Sequence, residues 1–307
     1  ALHAIGLARE IFPRLSFDLI YARPGQQPDA WAQELKQAIG YAVDHLSLYQ
    51  LTIEEGTRFF QLYNAGKFQI PDGEHAAELY AITQEVTAAH GLPAYEISNH
   101  ARPGAESRHN LTYWRYGEYV GVGPGAHGRF VEDGTRIVTI AEKMPERWAE
   151  LVEQRGHGIV GGETLNRSEE ADEFLLMGLR LVEGIDLARY EQLSGKSLSS
   201  ARLSILQGEG LVAPVGNSRL RATPEGMIFL YTGVAHLARY SLTYSSVRLN
   251  LAKARSSNKI TNKTRMPTSC AIAGNSAPFS ITARMMRRKC VSGRISPSAC
   301  AHPGMPR

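Results

Sequence analysis

Between residues 15 and 99 short apolar runs alternate with amphipathic ones, and that alternation restricts the fold to very few classes. "LSFDLIYA" at 15–22, closed by "RPGQ", reads as a buried strand. Trp31, Leu35, Ala38 and Ile39 then recur at helical spacing before a break at Gly40, and "HLSLYQLTI" at 45–53 repeats the strand pattern. After the loop through "IPDG", residues 74–90 read as a helix with Ala77, Ala81, Ile82 and Val86 on one side, ended by Gly91. "LPAYEISN" at 92–99 reads as a third strand. Strand, helix, strand, helix, strand predicts parallel βα units, whose ligands sit beyond the C-terminal ends of the strands.

The next stretch, "SRHNLTYWRYGEYVGVGPGAH" at 107–127, mixes polar groups, large rings, glycines and a proline with little apolar periodicity, so it reads as a loop feeding a tight turn. From Leu165 a different unit begins. "NRSEEADEFLLMGLRL" has a polar lead-in at Ser168, an acidic first turn, and Phe174, Leu175, Met177, Leu179 and Leu181 as its apolar residues. Shorter helical patterns at 186–194 and 197–208 precede a hairpin turning at Gly216-Asn217 and a helix started by Thr223 and Pro224. Three helices and a hairpin suggest a small winged-helix-like domain. That shape alone is no sign of nucleic-acid binding, because the unit has no basic stripe.

Charge separates the body from the tail. The last acidic residue is Glu225, and residues 234–307 hold 13 of the 34 Lys and Arg, which leaves 21 basic against 30 acidic residues, a net of −9, in residues 1–233. Periodicity fails after about Ser241. This segment is expected to be a disordered or non-native basic tail, the alternative being a basic arm for RNA, DNA or an anionic membrane. No run of about 18 apolar residues is available to cross a bilayer, and the N-terminus lacks a signal-peptide pattern. The chain opens without Met, in what reads as the middle of a helix, so a fragment is expected. Its cysteines are Cys270, Cys290 and Cys300, so residues 1–269 offer no thiol to a metal, a disulfide or a nucleophile.

Six motifs in order carry a resemblance over about residues 1–232: "FDLIYARPGQ", "HLSLYQLTIEEGT", "YEISNHARPG", "HNLTYW", "GVGPGAHG" and "FLLMGLRLVEGID". Together they resemble the radical-SAM heme chaperones, a family of oxygen-independent coproporphyrinogen III oxidase-like proteins. The resemblance implies an α/β fold. Its first part would be the C-terminal part of a radical-SAM (β/α) barrel over 1–160, followed by a helical, winged-helix-like domain over 161–232, with the basic tail over 233–307. It also implies a cytoplasmic protein that handles heme, together with S-adenosylmethionine and a [4Fe-4S] cluster. In the family three Cys of a CxxxCxxC loop hold that cluster, and the loop would lie upstream of Ala1.

By resemblance, His109, Asn110, Tyr113 and Trp114 match an HNxxYW motif associated with heme. A neutral imidazole can ligate iron, and Tyr and Trp rings can stack on a porphyrin. Without the family, the same residues read as a hydrogen-bonded loop with two rings plugging the barrel mouth. The resemblance also puts His127 of the glycine-rich turn on S-adenosylmethionine, with Asp18 and Thr52 near its ribose or amino-acid part. The alternatives are a capping or core-rim His127, and an Asp18 that anchors the loop at Arg23 or Gln26. "GVGPGAHG" lacks the spacing and the following helix of a phosphate loop, and its glycines suit a close approach to a cofactor or strand. Ser107 stands where family members commonly have Cys. The implied function is a fragment of a heme chaperone that passes heme to an acceptor protein. The alternatives are an oxidoreductase that decarboxylates coproporphyrinogen III, and a fragment with no activity. No nucleic-acid partner is expected.

Overall fold

The computed structural model describes residues 2–228 and 230. Helix α1 (Leu2–Ile11) leads into β1 (Ser16–Tyr21), α2 (Pro28–Tyr41), β2 (His45–Gln50), α3 (Arg58–Asn64), α4 (Gly73–Ala89) and β3 (Asn99–Ala101). β1 and β2 are parallel, in register from Ser16 opposite His45 to Tyr21 opposite Gln50, as the βα pattern requires. Helices α2 and α4 cover one face of this pair. Tyr21 stacks on Trp31 with ring centroids 5.0 Å apart, and Trp31 Nε1 donates to Thr83 Oγ1 at 2.9 Å. Gly40 does not end α2, which runs on through Tyr41.

The fully buried stripe of α4 is Leu79, Thr83 and Thr87, with Ile82 and Val86 half-buried against the same core. Two polar residues are tolerated there because each hydroxyl finds a carbonyl one turn back, Thr83 donating to Leu79 O at 2.7 Å and Thr87 to Thr83 O at 2.8 Å. The third strand also differs from expectation. Residues 95–98 form a turn around the buried Glu96, whose Oε1 accepts from Ser98 N at 2.8 Å and Asn99 Nδ2 at 2.6 Å. The chain therefore reverses, and β3 enters antiparallel to β2 with Leu46 opposite His100.

His100 is fully buried, and neither of its ring nitrogens has a partner at good hydrogen-bond geometry, the Ser98 backbone being its polar neighbour. Burial, with a smaller push from His45, takes its pKa down to about 4, and the backbone of Ser98 opposes the shift only weakly. Because the folded pKa lies below the unfolded value, the unfolded chain binds more protons as pH falls from 6.5 towards 4, and stability is lost across that window. His100→Phe is expected to flatten that loss, by up to about 3 kcal/mol for the full shift. Unfolding free energies measured between pH 7 and pH 4.5 check this. Equal slopes in parent and variant would refute it.

Helix α5 (Arg108–Trp114) replaces the loop expected after residue 107. Ser107 starts it, its Oγ accepting from Asn110 N at 3.3 Å. An antiparallel meander follows, of β4 (His127–Glu132), β5 (Thr135–Ala141) and β6 (Ile159–Thr164), with α6 (Pro145–Arg155) between the last two strands. Nothing in the sequence reading anticipated this sheet, although Asp133-Gly134, both at positive φ, is a hairpin signal.

The remaining elements are α7 (Arg167–Gly178), β7 (Ile185–Asp186), α8 (Leu187–Ser194), α9 (Ser200–Gly208), β8 (Val212–Val215), β9 (Arg219–Ala222) and α10 (Pro224–Ile228). The expected helices and hairpin are present, with Gly216 at φ 58° in the turn, and β7 joins the hairpin in the order β7-β9-β8. Asn166 rather than Ser168 caps α7, through a capping box with Glu169. Phe174, Leu175, Ile185, Leu206 and Leu220 form its core. This unit is joined to the rest by three largely buried ion pairs: Arg180 with Glu96, Arg129 with Glu173 and Arg136 with Glu170. The limit expected at 160/161 falls inside β6. The expected tail, 233–307, lies outside the described residues. Among the described residues no helix is long and apolar enough to cross a membrane.

Candidate functional site

Strand alternation divides the β1–β2 pair into two faces. Phe17, Leu19, Tyr21, Leu46 and Leu48 pack toward the helices. Ser16, Asp18, Ile20, His45, Ser47 and Tyr49 lie on the other face, which is open near Ile20 (51% exposed) and Tyr49 (41% exposed). Asp18 is thus an exposed carboxylate and not a buried one seeking a partner. Nor does it anchor the following loop: Arg23 pairs with Glu34, and Gln26 Oε1 accepts from Arg23 N at 3.2 Å. Thr52 lies just past β2 and donates to Gln50 O at 3.3 Å.

His45 was missed in the sequence, and it heads a polar chain on this face. Asn110 Nδ2 donates to the Tyr95 hydroxyl at 3.2 Å, Tyr95 OH is 3.0 Å from His45 Nε2, and His45 Nδ1 is 2.6 Å from Ser16 Oγ. With the amide as donor, Tyr95 is free to give its proton to Nε2, and Nδ1–H then donates to Ser16. That direction leaves Ser16 O–H as a donor toward the open face, the opposite of an activated nucleophile. Burial holds the His45 pKa below its ordinary value, which favours this neutral form.

Helix α5 sorts the four motif residues into two pairs one turn apart. Asn110 and Trp114 are held inward: Asn110 by Tyr95, Trp114 under Arg180, whose guanidinium carbon lies 4.2 Å from the ring centroid. One face of Trp114 is therefore covered, and its buried Nε1 has no acceptor. His109 is exposed, with Nε2 2.8 Å from the Tyr113 hydroxyl and the rings edge to face at 4.6 Å. Tyr113 meets Tyr119 edge to face at 4.4 Å. The result is a row of three rings, His109, Tyr113 and Tyr119. Burial raises the pKa of both tyrosines, so their hydroxyls stay protonated donors.

His127 begins β4, on a different sheet from Asp18 and Thr52. Gly121 and Gly128 serve close backbone approach: a Cβ on Gly121 would lie 2.5 Å from His127 O, and one on Gly128 would lie 2.5 Å from Thr139 Oγ1. Burial first, then Arg129 and Lys143, lower the His127 pKa. The candidate residues thus fall into two groups, Asp18 on the first sheet with Thr52 just past β2, and the ring row and His127 beside the meander. Among the described residues no group of three His, Cys, Asp or Glu side chains is placed to hold a metal. The described residues contain no Cys, so the thiolate donor set that an iron-sulfur cluster needs is not there, and the cluster does not fit them.

Residues 165–229 match the HemN C-terminal domain family. "Radical S-adenosyl methionine domain-containing protein 1, mitochondrial" of Danio rerio is 38% identical over 241 residues, 75% of this chain and 54% of the relative. The heme chaperone HemW of Bacillus subtilis is 35% identical over 201 residues, 65% of this chain and 52% of the relative. The chain spans about half the length of the curated relatives it matches. Among solved structures, coproporphyrinogen III oxidase (HemN) from Escherichia coli, a radical SAM enzyme, matches with a TM-score of 0.59 at 19% identity, over 78% of this chain and 58% of that one. At that identity the likeness shows the fold.

Proposed function

The chain belongs to the radical-SAM HemW/HemN family, and from that premise we propose that it binds heme on α5 and hands it to an acceptor protein. The observation that carries the reading is the exposed His109–Tyr113 pair, with Tyr119 continuing the row. A neutral imidazole offers iron a lone pair. At Nε2, iron takes the place of the Tyr113 hydroxyl, and the two tyrosine rings give the porphyrin an apolar edge to lie against. Asn110 and Trp114 act from behind, holding α5 against Tyr95 and Arg180. His109 is exposed at the end of the row and the two tyrosines are half-buried behind it, which suits a carrier whose bound heme an acceptor reaches from the His109 side.

S-adenosylmethionine belongs in this reading with Asp18 and Thr52, whose oxygens on or beside the open face suit hydroxyl or ammonium groups, and with His127 at the glycine-rich turn. Decarboxylation of coproporphyrinogen III has only the fold likeness behind it. The barrel part and the HemN-type part are proposed to meet at 164/165, just after β6. Cytoplasmic residence is part of the same proposal, and the mitochondrial name of the Danio rerio relative is the alternative that fractionation would test.

Heme titration of the full chain is expected to give a Soret shift, and His109→Ala to weaken binding about tenfold or more. Tyr113→Ala should cost less, since a ring contact contributes about 0.5–1.5 kcal/mol beyond its buried area. An unchanged spectrum and affinity in His109→Ala would remove His109 from the site.

A further inference from the structure

His45 is only 6% exposed, and Tyr95 packs over it with ring centroids 5.7 Å apart and its hydroxyl 3.0 Å from Nε2. The same hydroxyl receives Asn110 Nδ2, from the first turn of α5, at 3.2 Å. On the Nε2 side, hydrating His45 means moving Tyr95, and that movement gives up the contact with α5. The far end of the helix is fastened separately: Arg189 donates to the carbonyls of Arg115 and Tyr116 at 2.8 Å each, and Arg115 pairs with Glu183. The first turn, with His109 and Asn110, depends on Tyr95.

This contact suits a neutral imidazole, with Nε2 accepting the Tyr95 proton and Nδ1–H donating to Ser16 Oγ at 2.6 Å. A protonated ring has two N–H groups and no acceptor. Hydrogens then meet between Nε2 and Tyr95, and the displaced hydroxyl proton has the Asn110 amide donor on its other side, so one of the two links gives way. The groups around His45 do not offset a charge there. Asp44 is taken by Arg14 and Glu96 by Arg180, Asp18 on β1 is exposed to water, and His100 on β3 is itself held neutral by burial. Burial outweighs the carboxylates and keeps His45 below its ordinary pKa.

We propose that His45 is a proton-operated latch on α5: neutral, it holds the first turn through Tyr95 and Asn110, and charged, it lets that turn open. The open state hydrates the imidazole and so binds the proton more tightly than the closed state. Opening therefore grows as pH falls below the ordinary histidine value of 6.5, by up to about tenfold at one pH unit lower. The latch itself needs no heme. That opening also loosens the hold of His109 on iron is a consequence resting on the heme reading above.

The test follows hydrogen exchange in the full chain without heme at about pH 7.5 and 5.5. It compares the Leu111 amide, bonded to Ser107 O across the first turn, with the Arg115 amide, bonded to Leu111 O in the last. In the parent, Leu111 protection is expected to fall about tenfold relative to Arg115. His45→Gln should keep it high at both pH values, and Tyr95→Phe should leave it low at both. His100→Phe should retain the parent's fall, which separates the latch from the global effect of His100. No fall in the parent, an equal fall in His45→Gln or Tyr95→Phe, or its loss in His100→Phe would overturn the proposal. The parent alone also tests it, because the midpoint of the Leu111 change must coincide with the His45 imidazole titration seen by NMR; separate midpoints would overturn the latch even where the variants do not fold. Failure of the heme titration leaves each of these outcomes as it is.

Discussion

Glu96→Ala is expected to destabilise the protein by roughly 3–5 kcal/mol, the cost of leaving one half of a buried ion pair without its partner. The Glu96 and Arg180 side chains are 0% and 5% exposed and meet at 2.8 Å. The other oxygen of the same carboxylate holds Ser98 N and Asn99 Nδ2, so the substitution also releases the turn that reverses the chain into β3. Denaturant unfolding of parent and variant measures the loss. Replacing both residues, as Glu96→Gln with Arg180→Met, should recover part of it, because no buried charge is then stranded. A loss below about 1 kcal/mol for Glu96→Ala would mean that water reaches Arg180 and that the junction is looser than its geometry says.

Anaerobic reconstitution of the chain with iron and sulfide is expected to give no stable [4Fe-4S] absorption or EPR signal, and dithionite no release of 5′-deoxyadenosine from added S-adenosylmethionine. Such a cluster is held by thiolates brought to one place, and this chain has only Cys270, Cys290 and Cys300, spaced 20 and 10 apart. A strong signal that survives their replacement by Ser would require other ligands and would overturn the expectation. A signal lost on those replacements would put the chemistry in the C-terminal segment. The heme titration is independent of this outcome, since iron at His109 needs no thiolate.

Much of the fold could be read in advance because it is written in local period. Tyr21, Trp31, Leu35, Leu46 and Leu48 alternate or recur as a helix-covered parallel pair demands, and the α7 to β9 unit announces itself through caps, apolar stripes and the Gly216 turn. The meander escaped because β6 is an exposed edge strand without alternation, and the Asp133-Gly134 signal was overlooked among the surrounding polar residues. The reversal at Glu96 escaped for a different reason: a buried carboxylate is stabilised by Arg180, 84 residues away, and no local pattern records such a partner.

For the site, the sequence determined the inventory: a motif with His109, Asn110, Tyr113 and Trp114, read as part of a loop, a glycine turn before His127, and no thiolate in residues 1–269. Tertiary structure decided the roles. It turned Asn110 and Trp114 inward onto Tyr95 and Arg180, left His109 and Tyr113 outside, added Tyr119 to their row, and linked Ser16, His45, Tyr95 and Asn110 across the first sheet. The physical reason is range. Period and capping energies act over a few residues and so are visible in sequence, whereas which face of a short helix is buried depends on hydrogen bonds and ring contacts with groups that only folding brings near.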